Sequence, residues 1–217
     1  MIHFLHGMKV KKGLVKAIFS KSFCDFENLV SEEVEVVGVL PVKSEEIISF
    51  AKKVAENKQN LELEFFYSLN QNKKLESFFS KSLDIDDVSL IANHMIEVSK
   101  ILRKLTDCKK VNIKLTSLRS PMCPIFHVDN IPCRFLVTLY GLGTEWITYD
   151  EVDWKIFEKK DSKEAPLKDT RRIKNFKTGE WCLLKGGSWQ ENFNGVVHRS
   201  PHKIDNRLLL SIDPVFF

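Results

Sequence analysis

The spacing of apolar residues predicts helices in the first half of the chain. Residues 44–55 begin with Ser44, a side chain typical of a helix N-cap, and continue with apolar residues at intervals of three and four. Residues 86–105 carry a second apolar stripe with the same period. Residues 61–66 alternate between apolar and polar side chains and predict a short strand between the helices. We therefore predict a mainly helical region over residues 1–107.

The second half of the chain has the pattern of strands. Residues 111–115 alternate between apolar and polar side chains, and the longest run of strand formers covers residues 133–140. Shorter strand-like runs lie at residues 144–149, 181–185 and 195–198. Residues 150–178 are charged and lack apolar periodicity, which predicts a long insertion or a lid loop. We interpret residues 108–217 as the strand-rich core of a single domain, 1–217, with the helices packed on it.

The composition indicates a globular protein. Of 217 residues, 43% are hydrophobic, and 9 glycines and 7 prolines are too few for a collagen-like or disordered chain. The five cysteines are odd in number and lie mostly among apolar neighbours. A disulfide framework is therefore not expected, and the cysteine usage favours a reducing, cytoplasmic environment.

Charge and hydropathy bear on the expected partners. The net charge of +4 comes from dispersed basic residues, which favours a solvated surface over a nucleic-acid site. An anionic metabolite stays an open possibility as a partner, and so does nucleic acid, although the basic runs do not support it. Lys9, Lys11, Lys12 and Lys16 interrupt what would be the apolar part of an export signal, and eighteen apolar residues never run together. We therefore expect no membrane partner.

Two histidines and one aspartate form the candidate chemical centre. His127 and Asp129 are two residues apart, so a strand would point both side chains to the same face. His198, in the apolar run that starts at Gly195, is the candidate third ligand. Two imidazoles and one carboxylate on one face of a metal leave the other positions open, as in non-haem Fe(II) oxygenases. A lone histidine on an apolar strand is more often a core residue, so the assignment depends on all three residues together.

Arg207 adds a candidate anion site. It opens the last strand-like run, where Arg207, Leu209 and Ser211 share one face. A guanidinium on an inner face is costly to bury without an anion, and its planar fork matches a carboxylate. The pattern therefore favours a clamp for a carboxylate ligand.

The order His127-x-Asp129, His198, Arg207 resembles that of the dioxygenases that use Fe(II) and 2-oxoglutarate on a double-stranded β-helix. More closely, Cys123-Pro124-x-Phe126-His127-x-Asp129, followed by Tyr140-Gly141-x-Gly143-Thr144-Glu145-Trp146, resembles an uncharacterised bacterial family known only as a domain of unknown function. The resemblance covers roughly residues 110–217.

The resemblance implies an α+β fold, namely a double-stranded β-helix (jelly-roll or cupin-like) with an N-terminal helical layer. It also implies a hydroxylase or demethylase type of oxygenase that binds Fe(II) through His127, Asp129 and His198. Arg207 would hold the far carboxylate of 2-oxoglutarate. Candidates for further contacts to the oxoacid are Thr138, Tyr140 and Ser211. Many members carry the serine two residues after the arginine, whereas here Ser211 follows Arg207 by four. The substrate, a small molecule or a macromolecule, is not implied.

Two other interpretations stay open. A cupin-like protein could hold zinc through the same triad without doing chemistry, since zinc accepts nitrogen and oxygen ligands. Arg207 argues against this, because a simple zinc site needs no anion clamp. A structural or interaction module with an unused triad is the other alternative. Hydrolase signatures such as Gly-x-Ser-x-Gly, Gly-rich phosphate loops and Cys-x-x-Cys are absent.

Overall fold

A computed structural model describes residues 16–217 apart from 43, 59, 86, 160–164, 168, 192, 204 and 205. The strands are β1 (Lys16–Ser20), β2 (Val34–Val39), β3 (Glu62–Tyr67), β4 (Lys110–Leu118), β5 (Cys133–Tyr140), β6 (Glu145–Ile147), β7 (Lys174–Asn175), β8 (Trp181–Lys185), β9 (Val197–Arg199) and β10 (Arg207–Val215). The helices are α1 (Ser44–Asn57), α2 (Asn72–Leu83), α3 (Ser89–Thr106) and α4 (Trp154–Phe157), and 3-10 turns lie at Phe23–Val30, Tyr149–Glu151 and Thr170–Arg172. The predicted N-cap side chain of Ser44 and the lysines at 9, 11 and 12 lie outside the described residues.

A seven-stranded sheet dominates the mixed α and β structure. Its strand order is β1-β2-β8-β5-β10-β4-β3. The β1–β2 pair is parallel and the other pairs are antiparallel. Three of these strands come from the region predicted to be mainly helical, and only β3 of the three was expected. β2 is apolar except for Glu35 and Gly38 and is buried along its whole length, so its sequence lacks the alternation that would distinguish a strand from a helix segment.

One face of the large sheet is covered by helices. The helices predicted from the apolar stripes are present as α1 and α3. Their buried faces, including Ala51, Met95 and Leu102, join Val137 and Leu210 of the sheet in the larger core. Burying each large apolar side chain in such a layer contributes roughly 2 kcal/mol. The helices therefore fix which face of β5 and β10 is left for the site.

A small sheet of order β7-β6-β9 packs against the other face of the large sheet. The residues between the two sheets are Val36, Leu136, Trp146, Phe176, Cys182, Leu184 and Val196. On its outer face, Ile147 and Val197 pack with Phe126, Val152 and Leu167. Apolar residues of the segment predicted to be an insertion or lid thus form the outer layer of the small sheet. This coverage has a physical cause, since a sheet with two apolar faces must bury both.

No helix within the described ranges is long and apolar enough to cross a membrane.

Candidate metal centre

The structure brings together the three side chains predicted as metal ligands. One ligand atom from each of His127, Asp129 and His198 lies within 4.8 Å of the other two. Nε2 of His127 is 3.8 Å from Oδ1 of Asp129, and Nε2 of His198 is 3.4 Å from Oδ2 of Asp129. The two imidazole centroids are 4.5 Å apart. Two imidazoles and a carboxylate therefore converge on one point, as the sequence predicted; their role as ligands stays a prediction.

Backbone pairing holds the two histidines side by side. The segment around His127 adds to the edge of the small sheet by an antiparallel bridge to His198. Directly opposite residues of an antiparallel pair point to the same face. His198 is also opposite Trp146 of β6, whose side chain lies between the two sheets. The imidazole of His198 accordingly faces the space between the sheets, where it is buried.

Each imidazole is oriented by the backbone carbonyl two residues before it in the chain. Nδ1 of His127 is 3.0 Å from the carbonyl oxygen of Ile125, and Nδ1 of His198 is 3.0 Å from that of Val196. When Nδ1–H donates to the carbonyl, Nε2 carries the lone pair. A second hydrogen bond of this kind is what fixes the tautomer of metal-binding histidines. Both rings thus present Nε2 to Asp129.

Burial keeps the inner histidine neutral. It lowers the pKa of His198 well below its usual range, against the opposing effect of the Asp129 carboxylate, and nearby His127 lowers it further. A histidine must be deprotonated to bind a metal ion. His127 is more open, with its side chain 34% exposed against 7% for His198. The centre can therefore be reached from solvent on the His127 side.

Asp129 is held by an arginine of the large sheet. Nη1 of Arg134 donates to Oδ2 of Asp129 at 2.9 Å, while Nε and Nη2 donate to the two carboxylate oxygens of Asp213 at 2.6 and 2.8 Å. Burial lowers the pKa of Arg134, but the hydrogen bonds and charge of Asp213 outweigh this and raise the pKa above its ordinary value. No local sequence pattern signals this bridge, because Arg134 and Asp213 are 79 positions apart.

Arg207 is buried, and none of the residues that the structure describes gives it an acidic partner. The residue is 1% exposed, and Nη2 donates to Oγ1 of Thr138 at 2.9 Å and to Oγ1 of Thr144 at 2.7 Å. Within the part of the chain that the structure describes, its buried Nε has no hydrogen-bond partner. Burial lowers the pKa of Arg207 to about 10, and no acidic group of the described chain offsets this effect. Thr138 was a candidate from the sequence, whereas Thr144 was missed because its contact arises only from tertiary packing.

The remaining predicted residues divide between the two faces of the large sheet. Ser211 is half-buried, and Leu208, Leu210 and Ile212 around it point into the helix-side core, so it shares the opposite face with Arg207. Tyr140 instead packs against the helix-side core. The pairing of β5 with β10 shifts between Leu208 and Leu209, and such a bulge breaks the alternation of faces. Thr138 therefore meets Arg207, and Tyr140 does not.

Comparison with known proteins gives a family and a fold. The family model described as "Protein of unknown function (DUF1826)" matches residues 20–213. The chain belongs to this family. The sequence resemblance to a domain of unknown function is thereby confirmed. None of the curated proteins matches the DUF1826 chain by sequence.

Solved structures share the fold at low identity. The Arabidopsis thaliana dioxygenase for auxin oxidation 1, solved with 2-oxoglutarate, is 10% identical, with a TM-score of 0.54 over 94% of this chain and 93% of that chain. A bsmA homolog from Methylobium petroleophilum PM1 is 10% identical, with a TM-score of 0.52 over 89% and 92% of the two chains. The rice dioxygenase for auxin oxidation is 11% identical, with a TM-score of 0.50 over 93% and 83%. At these identities the likeness concerns the fold alone.

Proposed function

We propose that this DUF1826 protein is an Fe(II)- and 2-oxoglutarate-dependent dioxygenase, of hydroxylase or demethylase type, on a double-stranded β-helix. The strand arrangement supports this architecture. Four strands from residue 110 onward lie adjacent in the large sheet in the order β8-β5-β10-β4, and the small sheet β7-β6-β9 continues through the bridge to His127. The fold then has two facing layers of four strands each, if the segment at His127 is counted as the fourth strand of the small sheet. β1, β2 and β3 extend the layer that belongs to the large sheet.

Arg207 carries the functional proposal. Arg207 is 1% exposed, and within the described chain its Nε has no hydrogen-bond partner and its charge has no acidic neighbour. Its positive charge is therefore not balanced by any described residue. Burying a charge without a partner is costly, so the fold is expected to supply the partner as a ligand. The far carboxylate of 2-oxoglutarate matches the planar fork of the guanidinium. A site that only stored zinc would have no use for this group.

The triad fits Fe(II). Two imidazole nitrogens and one carboxylate oxygen are the donor set of a facial triad, and among the described residues the cluster of possible ligand atoms includes neither Cys123 nor Cys133. When bound, Fe(II) would supply oxygen activation coupled to decarboxylation of the oxoacid. The residues around it would bind and orient. Arg207 would take the far carboxylate, while Thr138 and Thr144 hold its guanidinium at one nitrogen and leave Nε and Nη1 for the ligand.

Water exclusion is the second contribution of the fold. Trp146, Leu136 and Leu184 fill the space between the sheets, and Leu209 packs against them beside Arg207. Electrostatic attraction between Arg207 and a bound carboxylate is stronger in such surroundings than in water. The open side at His127 is then the route by which a primary substrate would approach.

The test is anaerobic binding followed by aeration. Fe(II) is added to the metal-free protein, then 2-oxoglutarate, and the weak visible absorption band of the chelated oxoacid is recorded. We expect one equivalent of metal, a band that saturates with 2-oxoglutarate, and succinate after air is admitted. His127→Ala should show neither metal nor band. Tight zinc binding by the wild type with no band and no succinate would instead establish the metal-holding alternative.

A further inference from the structure

The contact between Arg134 and Asp129 has a role that the ligand set alone does not explain. A carboxylate can bind a metal through one oxygen or through both. Three protein donor atoms leave three positions open on a six-coordinate metal, whereas a two-oxygen aspartate would leave only two. The oxoacid needs two positions and oxygen needs one, so the proposed chemistry requires Asp129 to bind through one oxygen.

The hydrogen bonds of Arg134 engage one oxygen of Asp129 and leave the other free among the described residues. Its Nη1 donates to Oδ2 of Asp129 at 2.9 Å, and Oδ1 accepts no hydrogen bond from any described residue. The arginine is itself fixed, because Nε and Nη2 form a two-bond fork with Asp213 on β10. The side chains of Asp129 and Asp213 are only 16% exposed, so water competes weakly for these bonds.

We propose that Arg134 is a positioning residue that engages Oδ2 of Asp129 and so restricts this carboxylate to binding the metal through Oδ1 alone. Asp213 anchors Arg134 and balances its charge, so the Arg134–Asp213 pair adds no net charge beside the metal. The proposal rests on the proposed function, because it assigns a role within the same metal centre.

The test compares two arginine–aspartate pairs. Arg134→Gln/Asp213→Asn removes one positive and one negative charge and leaves two amides that can still hydrogen-bond between the strands. Arg171→Gln/Asp169→Asn is the matched control: Arg171 makes the same two-bond fork with Asp169, but this pair is on the surface and contacts none of the three ligands. Asp213→Asn alone keeps the Arg134–Asp129 bond.

The readouts are the Kd for Co(II), used as a spectroscopic probe, the Kd for 2-oxoglutarate in the Co(II) protein, and the unfolding midpoint of the metal-free protein. Loss of a group that orients a metal ligand typically weakens metal binding about tenfold to hundredfold. We expect a weakening of this size in the Arg134 double variant, with a changed visible Co(II) spectrum and a weaker response to 2-oxoglutarate. The Arg171 control should match the wild type, and Asp213→Asn should lie between them.

Unchanged Co(II) and 2-oxoglutarate affinities in a folded Arg134 double variant would overturn the inference. If that variant fails to fold, Arg134→Lys tests the same proposal, because lysine keeps the charge but cannot contact both aspartates at once. The outcome is separable from the fate of the proposed function. Wild-type protein that binds neither Co(II) nor Fe(II) contradicts the metal centre itself, whereas binding that needs His127 but not Arg134 contradicts only the role of Arg134.

Discussion

His127 and His198 exchange two backbone hydrogen bonds. The amide of His127 donates to the carbonyl of His198 at 3.0 Å, and the amide of His198 donates to that of His127 at 2.9 Å. This pairing places residues 71 positions apart in the sequence on one sheet face, so that the spacing of their imidazoles is set by backbone geometry. The candidate metal centre thus lies at the edge of the small sheet, and each surrounding group is expected to add to it.

The first prediction concerns the charge of Asp129. Asp129→Asn preserves the shape of the side chain but removes the negative ligand, so stoichiometric binding of Fe(II) or Co(II) should be lost. Asp153→Asn is a suitable control, because Asp153 caps α4 and contacts none of the three ligands within the described chain. Metal analysis after anaerobic reconstitution and desalting checks this. Full occupancy in Asp129→Asn would contradict the ligand assignment.

The second prediction separates 2-oxoglutarate from the metal at Arg207. Breaking a buried charge pair costs about 3 to 5 kcal/mol, so Arg207→Met should weaken the binding of 2-oxoglutarate by more than about a hundredfold. Thr144→Val removes one hydrogen bond of the guanidinium and should weaken the binding of 2-oxoglutarate by about 1 kcal/mol, which is roughly fivefold. Anaerobic titration of the visible band measures both. The Co(II) affinity should stay unchanged in both variants.

Arg207→Met should also keep or raise the stability of the ligand-free protein. It replaces a buried charge that has no acidic partner among the described residues with an apolar group of similar length, an exchange that is often neutral or stabilising. Thermal unfolding with and without 2-oxoglutarate in the presence of Co(II) should show protection of the wild type only. A ligand-free variant that is strongly destabilised would mean that Arg207 has an acidic partner inside the protein.

The third prediction is a pH dependence of stability from Glu35. Burial raises the pKa of Glu35 from 4.5 to about 7, partly offset by the Tyr149 amide that donates to Oε2 at 3.0 Å. The folded protein therefore holds this proton over a range in which the unfolded chain has released it. Its contribution to the free energy of unfolding is full below pH 4.5 and is lost as the pH rises through 7, by about 3 kcal/mol.

Glu35→Gln should flatten this profile. Urea unfolding of the metal-free protein at several pH values between 5 and 8 should show a smaller loss of stability for the variant than for the wild type. Glu33→Gln, at an exposed site paired with Lys16, is the control and should keep the wild-type slope. Parallel slopes for Glu35→Gln and the wild type would show that Glu35 ionises normally in the folded state.

The fourth prediction uses two adjacent glycines. A Cβ at Gly186 would lie 1.9 Å from the carbonyl oxygen of Ile131 and 2.9 Å from that of Asp129, the proposed carboxylate ligand. At Gly187 the nearest atoms would be 3.4 Å away, an ordinary contact. Gly186→Ala should therefore displace this loop, cost about 1 to 3 kcal/mol of stability and weaken Co(II) binding. Gly187→Ala should do neither; equal effects would contradict the crowding argument.

Local periodicity accounts for what could be predicted from the sequence alone. The apolar stripes predicted α1 and α3, and the spacing of two predicted that His127 and Asp129 converge. The helix predictions follow from the geometry of one element, because side chains repeat every 3.6 residues in a helix. The convergence was predicted from a strand, whereas in the structure His127 forms an isolated bridge and Asp129 lies in the loop after it. The coarse class of fold and the family resemblance likewise followed from the order of motifs along the chain.

Tertiary structure decided the contacts whose partners are far apart in sequence. Arg134 meets Asp213 and Arg207 meets Thr144 across separations of 79 and 63 residues, which depend on how β5, β6 and β10 are placed. A shift in pairing turned Tyr140 to the helix-side core, and no local pattern signals such a bulge. Sequence periodicity specifies which face of an element is buried, whereas strand register and the packing of two sheets specify which polar groups meet there.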